Sequence, residues 1–584
     1  MKLIVKSMGR KGRGLALLAI VLIVAQVLLE TWIPSQTSEI TTLIQTGEGS
    51  SAAISGMAVR MGLAALAAFL CACAAGYLIS VVGCESTRVI RQALFEKSVG
   101  FSSEAVAAVG ASSLIVRCTN DVTYIQTFLQ DCLQPLAQAP ILLAAVFLRM
   151  SFQNPVWMWL GIGAIVLLLG LLAYILLATL LLFKKSGRVR DRIATTTREH
   201  VRGIRVIHAF NAEEAYGETY ERTNRLLTVF YEKSRKIIAT FSPAVSALLY
   251  GLSVLVYVIG AHLIAGTPLS QRPEVYSGMV AYVSYIALLI FALVNIVLII
   301  LYIPQIAYAG IRIGGVLNTP DAIMDGPMEE GKPGETGSIE FRNVSFRYPG
   351  ASENAVSNLS FRVRGGQTVA LIGATGCGKT TLLNLIPRLC DAREGEVLVN
   401  GLNVREYTLG ALRGRIGYVP QTSFLFSGTI RSNIGYGEGR FHATLERIQE
   451  AARTSQAEEF IRPKEGQYDA EVQTGGVNFS GGQRQRLAIS RAICRDPEIY
   501  LFDDSFSALD YKTDSQLRKA LKETAAGATV LIVSQRISTI RDADMILVMD
   551  RGTIVGQGSH EELMQNCAVY REFAESQARE QVAG

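Results

Sequence analysis

The stretch Gly373-Ala374-Thr375-Gly376-Cys377-Gly378-Lys379-Thr380, followed by Thr381, has the spacing G-x-x-x-x-G-K-[ST]. Glycines at those positions let backbone N–H groups close around phosphates, Lys379 can reach the outer phosphates, and the Thr380 hydroxyl can reach Mg²⁺. The pattern has chemical meaning only between a strand and a helix. TVALIG at 368–373 is a buried-strand pattern, and TLLNLIPRL after the loop is helical. A second apolar strand, EIYLF at 498–502, ends in Asp503-Asp504, and a carboxylate at that strand end can hold the Mg²⁺ of a nucleotide. These residues imply a site for ATP and Mg²⁺.

The elements around that site fall into two unlike halves of a 584-residue chain. A mean hydropathy of +0.29 averages over both. Six apolar stretches, about 15–33, 57–83, 133–152, 157–183, 241–266 and 278–304, reach the roughly 20 residues that a membrane-crossing helix needs. Lys2, Lys6, Arg10, Lys11 and Arg13 precede the first, whereas the loop 35–56 holds no Lys or Arg, so the N-terminus is expected in the cytoplasm. The first stretch is read as an uncleaved span, because its apolar run continues to Ile33 with no small-residue cleavage site. The connections 84–132 and 184–240 are long and charged, with helical spacing that places Leu114, Val122, Ile125 and Phe128 near one face. Glu30, Arg60 and Arg149 are read as lying near span ends, which favours an apolar or amphipathic solute over a proton-coupled path.

The expected architecture is an α-helical six-span transmembrane domain, residues 1–320, a Gly/Pro-rich linker, 321–337, and an α/β P-loop nucleotide-binding domain, 338–584. The net charge of +6 comes from basic residues beside apolar spans, which argues against a nucleic-acid partner. None of the nine cysteines stands in a C-x-x-C pair, so neither zinc nor a disulfide framework is indicated. The five histidines (200, 208, 262, 442 and 560) match no catalytic position.

FSGGQRQRLAISRAI at 479–493, immediately ahead of PEIYLFDDSFSALD, makes the chain resemble an ATP-binding-cassette transporter of the type IV, or exporter, fold. The resemblance covers nearly the whole chain and implies roles for further residues. Tyr348 in SFRYP would stack on adenine, and Gln421 in YVPQTSFLFSGTIRSNI would contact Mg²⁺ and the membrane half. Ser480, Gly481, Gly482 and Gln483 would bind the γ-phosphate held by an opposing domain, and Asp510 would span the dimer interface. RCTNDV at 117–122 and GIRVIHAFNAEE at 203–214 resemble the loops that dock on the ATP-binding domains.

The chain departs from the family pattern where chemistry is expected. Asp504 stands where a Glu is usual and Gln535 where the switch-loop His is usual, while EVQTGGVNFSGGQ replaces V-G-E-x-G ahead of the signature. Asp is shorter than Glu by one C–C bond, and Gln hydrogen-bonds but cannot become a cation. The pair resembles the degenerate-site subunit of a bacterial heterodimeric, multidrug-type exporter. That implies a second half-transporter carrying the Glu and His, a membrane-lipid surround, a small amphipathic substrate, and a multi-pass location with a cytoplasmic ATPase domain. A homodimeric exporter with slow ATPase, a nucleotide-sensing membrane regulator and an exporter-fold importer remain open alternatives.

Overall fold

The computed structural model describes residues 7–47, 49–151, 155–320, 323–437 and 443–583. Lys2 and Lys6, residue 152 of the third expected span, residues 321 and 322 of the expected linker, and His442 lie outside them. The chain divides into two compact units, one of residues up to 99 together with Ala111–Asn318, the other of Gly100–Gly110 with Thr319–Gly584.

The first unit is entirely helical, as apolar runs must be in lipid, where the backbone has no water to bond to. Its helices are α1 (Gly9–Thr46), α2 (Ser51–Val99), α4 (Ala111–Met150), α5 (Pro155–Ala209), α6 (Glu213–Ala239), α7 (Phe241–Gly266) and α8 (Arg272–Leu317), with the short α3 (Ser103–Val109) assigned to the other unit. Five helical stretches among the described residues are long and apolar enough to cross a membrane. The fourth expected span falls within the 55-residue α5, whose continuously described apolar part is Val156–Leu171. The long charged connections are helical extensions of these elements, as their periodicity predicts.

The buried face of α4 differs from expectation. π-helical turns occur at Arg117–Asp121 and Phe128–Cys132, and the buried face runs Leu114, Val122, Ile125, Leu129, with the i, i+3, i+7 spacing of an α-helix over the last three, instead of ending on Phe128. RCTNDV packs inside the first unit, where Asp121 pairs with Arg312 of α8 at 3.1 Å. α1 runs unbroken to Thr46 through Pro34, leaving Glu30 16 residues, or about 24 Å, below its outer end.

The second unit is built on two main sheets. One is antiparallel, ordered β2 (Val356–Val363), β1 (Ile339–Phe346), β4 (Glu394–Val399), β5 (Leu402–Asn403). The other is ordered β12 (Thr553–Gly558), β11 (Met545–Asp550), β3 (Thr368–Gly373), β10 (Thr529–Val533), β9 (Ile499–Asp503), β6 (Ile416–Val419), parallel except at β12. β9 and β10 are buried at every residue, the continuous apolar pattern of a parallel sheet covered on both faces. Burying each such Val, Ile or Leu contributes about 1.5–3 kcal/mol, so the strand ends that carry the chemistry sit on a stiff base. The Gly/Pro-rich stretch ahead of β1 is laid along this unit. Met328 N–H donates to Glu406 O at 2.9 Å, and Lys332 N–H to Asn400 O at 2.8 Å.

Candidate nucleotide site

The site gathers at the C-terminal ends of β3, β9 and β10. Gly376 and Gly378 have φ of +84° and +103°, and a Cβ on Gly378 would lie 2.6 Å from Ala355 O. Only glycine fits there, and the loop therefore curls tightly before the helix α9 (Lys379–Leu385). Lys379 is buried, and its ammonium donates to Gly373 O at 2.7 Å and Ala374 O at 2.8 Å, with Cys377 Sγ at 3.6 Å. These carbonyls of its own loop hold the lysine head beside the positions that phosphate oxygens would take.

Thr380 Oγ1 donates to Asp503 Oδ1 at 3.1 Å, across 123 residues of sequence. One hydroxyl and one carboxylate side by side suit Mg²⁺, which takes few protein ligands and relies on phosphate and water for the rest. Consistent with that, no dedicated cluster of three or more His, Cys, Asp or Glu occurs among the described residues. Asp503 is 2% exposed, and burial pushes its carboxyl above the ordinary range, against the Thr380 hydrogen bond and the Lys379 charge that pull it down.

Asp504 adopts a left-handed backbone, φ +48°, a region Asp tolerates better than most side chains. Its N–H donates to Val533 O at 3.1 Å and its carbonyl accepts from Ser507 Oγ at 2.9 Å, so two strands and a turn fix its direction. Burial is also the largest influence on its carboxyl and raises it; hydrogen bonds from Ser507 and Gln421 and the charges of Lys379 and Arg536 oppose this. The structure therefore brings Gln421, Asp503, Asp504, Lys379 and Thr380 together.

Tyr348 is 41% exposed, presenting ring surface while its hydroxyl meets Thr381 Oγ1 at 3.1 Å and Phe346 packs edge-on against it. Gln535 is exposed at the end of β10. No motif points to the residue that holds its backbone. Gln577, on the last helix α12 (Ala568–Ala583), donates through Nε2 to Gln535 O at 2.5 Å and accepts from Ile537 N–H at 2.9 Å. A lone Gln 42 residues downstream of the switch position carries no periodicity or motif that could point to it.

The signature residues are not brought to this loop. Ser480 caps the helix α10 (Gly481–Cys494) in a reciprocal box, its Oγ accepting from Gln483 N–H at 3.3 Å and Gln483 Oε1 accepting from Ser480 N–H at 3.0 Å. Ser480 and Gly481 are exposed at that helix start, where backbone N–H groups and the helix dipole favour an anion. α10 packs in a second hydrophobic cluster with Leu425, Ile430 and Phe506. Asp510 caps α11 (Tyr511–Thr524), accepting from Thr513 N–H at 3.0 Å and Thr513 Oγ1 at 2.7 Å, which lowers its carboxyl below the usual value.

Comparison with known proteins agrees with this geometry. Residues 356–507 match the model for the ABC transporter family, and residues 16–294 match that for the ABC transporter transmembrane region. The chain belongs to the ABC transporter family. An uncharacterized ABC transporter ATP-binding protein of Mycobacterium tuberculosis is 35% identical over 98% of both chains. An ATP-dependent lipid A-core flippase of Pseudomonas aeruginosa is 31% identical over 81% of this chain and 77% of its own. A solved bacterial Atm1-family ABC exporter with ATP bound superimposes with a TM-score of 0.79, at 26% identity, over 96% of this chain and 97% of that one. This ABC transporter is accordingly a multi-pass membrane protein, with a helical transmembrane domain fused to an ATP-binding ATPase domain that faces the cytoplasm.

Proposed function

We propose that this chain is the degenerate-site half of a heterodimeric ATP-driven exporter of amphipathic solutes. The observation that carries the reading is the pairing of Asp504 and Gln535 in an otherwise complete site. Lys379, Thr380 and Asp503 hold ATP and Mg²⁺, and Tyr348 stacks on adenine. Gln421 reads the metal, while Ser480 to Gln483 complete a competent site on the partner's phosphate loop. Asp504 and Gln535 sit where water would be activated, and both are poorly suited to it: one is short, and the other cannot carry charge. ATP bound here times closure of the dimer, and hydrolysis at the other site resets it. The likeness to a lipid A-core flippase and to an Atm1-family exporter supports outward movement of an amphiphile.

The test compares lysine substitutions in the two halves. In inside-out vesicles of the complex, Lys379→Ala should reduce ATP-dependent solute uptake less than the equivalent substitution in the partner, which should abolish it. Equal losses would overturn the asymmetry.

A further inference from the structure

Glu30 is the only carboxylate within the six apolar stretches of the sequence. Its neighbour Gln138 on α4 lies in the apolar stretch 133–152, and Tyr285 of α8, whose hydroxyl donates to Thr31 O at 3.3 Å, in 278–304. The carboxylate therefore sits among three helices, each long and apolar enough to cross a membrane. Ile23, Val27, Leu142 and Ile286 belong to the buried apolar packing of these helices. A charge in such a segment is costly and marks a functional site unless it is paired.

Its partners on the page are neutral. Gln26 Nε2 donates to Oε1 at 2.8 Å and Gln138 Nε2 to Oε2 at 3.5 Å, and no Lys, Arg or His side chain pairs with Glu30 among the described residues. Gln26 is 5% exposed, and its Oε1 is buried with no hydrogen-bond partner, an acceptor left over beside the carboxylate. Two amides hold the carboxylate in place without neutralising it, and Glu30 itself keeps partial exposure. We infer that Glu30, with Gln26 Oε1, forms the recognition site for a protonated amine on an amphipathic solute. A divalent metal ion would need about six oxygen ligands, more than the side chains of Glu30, Gln26 and Gln138 carry between them. An ammonium needs a few acceptors and one opposing charge, with an apolar wall for the rest of the molecule.

This inference rests on the transporter reading but is tested without transport. Full-length protein in lipid nanodiscs is titrated with dansylcadaverine, a fluorescent amphiphile whose primary amine is protonated at neutral pH, and with Nile red, an uncharged amphiphile. Glu30→Gln keeps the shape and loses the charge. It should weaken dansylcadaverine binding at least tenfold while changing Nile red binding less than twofold, and Glu30→Asp should recover part of the loss. Dansylcadaverine binding within twofold of wild type in Glu30→Gln, parallel loss of both probes, or no dansylcadaverine binding by the wild type would each overturn the site. The exporter reading fails separately, if vesicles of the complex move neither probe on addition of ATP.

Discussion

Lengthening Asp504 to Glu isolates what its own site lacks. Burial raises the Asp504 carboxyl above its ordinary value, the direction that favours a general base over a solvated aspartate. What it lacks is reach. Its backbone is fixed through Val533 O and Ser507 Oγ, so Asp504→Glu moves the carboxyl outward by one bond, about 1.5 Å. A misplacement near 1 Å costs on the order of a hundredfold in rate. The substitution should therefore raise hydrolysis by about that factor, with little change in ATP affinity. The assay is steady-state Mg-ATP hydrolysis by dimers of this chain alone in nanodiscs, where each site combines its own phosphate loop with an intact signature. Asp504→Glu/Gln535→His should exceed the single substitution, because His can add a positive charge at the γ-phosphate. A gain below about threefold, with ATP affinity retained, would refute the view that reach limits this site.

Other expectations concern binding and stability. Tyr348→Ala should cost about 1–3 kcal/mol in ATP affinity through lost stacking, and Tyr348→Phe much less; equal losses by equilibrium binding would assign the effect to the Thr381 hydrogen bond. Cys377 is buried beside Lys379, so in a variant lacking the exposed Cys73 and Cys84 its maleimide labelling should be slow and blocked further by Mg-ATP. Identical labelling with and without nucleotide would show that ATP does not cover the loop. Asp121 tests electrostatics away from the site. Burial, outweighing Arg312 and Arg117, raises its carboxyl, so it binds more protons folded than unfolded, and its contribution to stability is lost as pH rises through the raised value. Asp121→Asn should gain in thermal midpoint on wild type between about pH 4 and pH 7, and a loss at the upper end would mean that the Arg312 ion pair prevails.

What was legible in the sequence was local or charge-driven. Apolar length and the Lys and Arg before α1 are read residue by residue, and the loop Gly373–Thr380 is one contiguous motif flanked by its own strand and helix. Periodicity also found the buried face of α4 up to Ile125, then missed by one residue, because the i+3 and i+4 positions both lie near that face and packing buries Leu129, not Phe128. The surroundings of Glu30 were not legible. Hydropathy ends the first span at Ile33, but the polar stretch after it stays helical to Thr46, and the contacts at Glu30 and Thr31 come from Gln138 and Tyr285 on helices distant in sequence. Gln577 could not be found at all: its role exists only because the last helix brings an amide to two backbone groups at the end of β10.

The Gln577 contact bears on why a weakly hydrolysing site would keep its form. Immobilising a long side chain costs up to about 1.5–2 kcal/mol of rotamer entropy, while each neutral hydrogen bond contributes a net 0.5–1.5 kcal/mol. Two bonds from one amide roughly offset that cost. The contact therefore adds little to overall stability and acts mainly to fix where the switch backbone lies. The same holds for the left-handed Asp504 and the glycine-only turns at Gly376 and Gly378, which define position rather than add cohesion. The frame that aims groups at a γ-phosphate is thus complete, and the departures sit in the two side chains that would move a proton or carry a charge. In the proposed degenerate site binding and chemistry would be separable, because ATP affinity would depend on the frame and hydrolysis on the tips of Asp504 and Gln535.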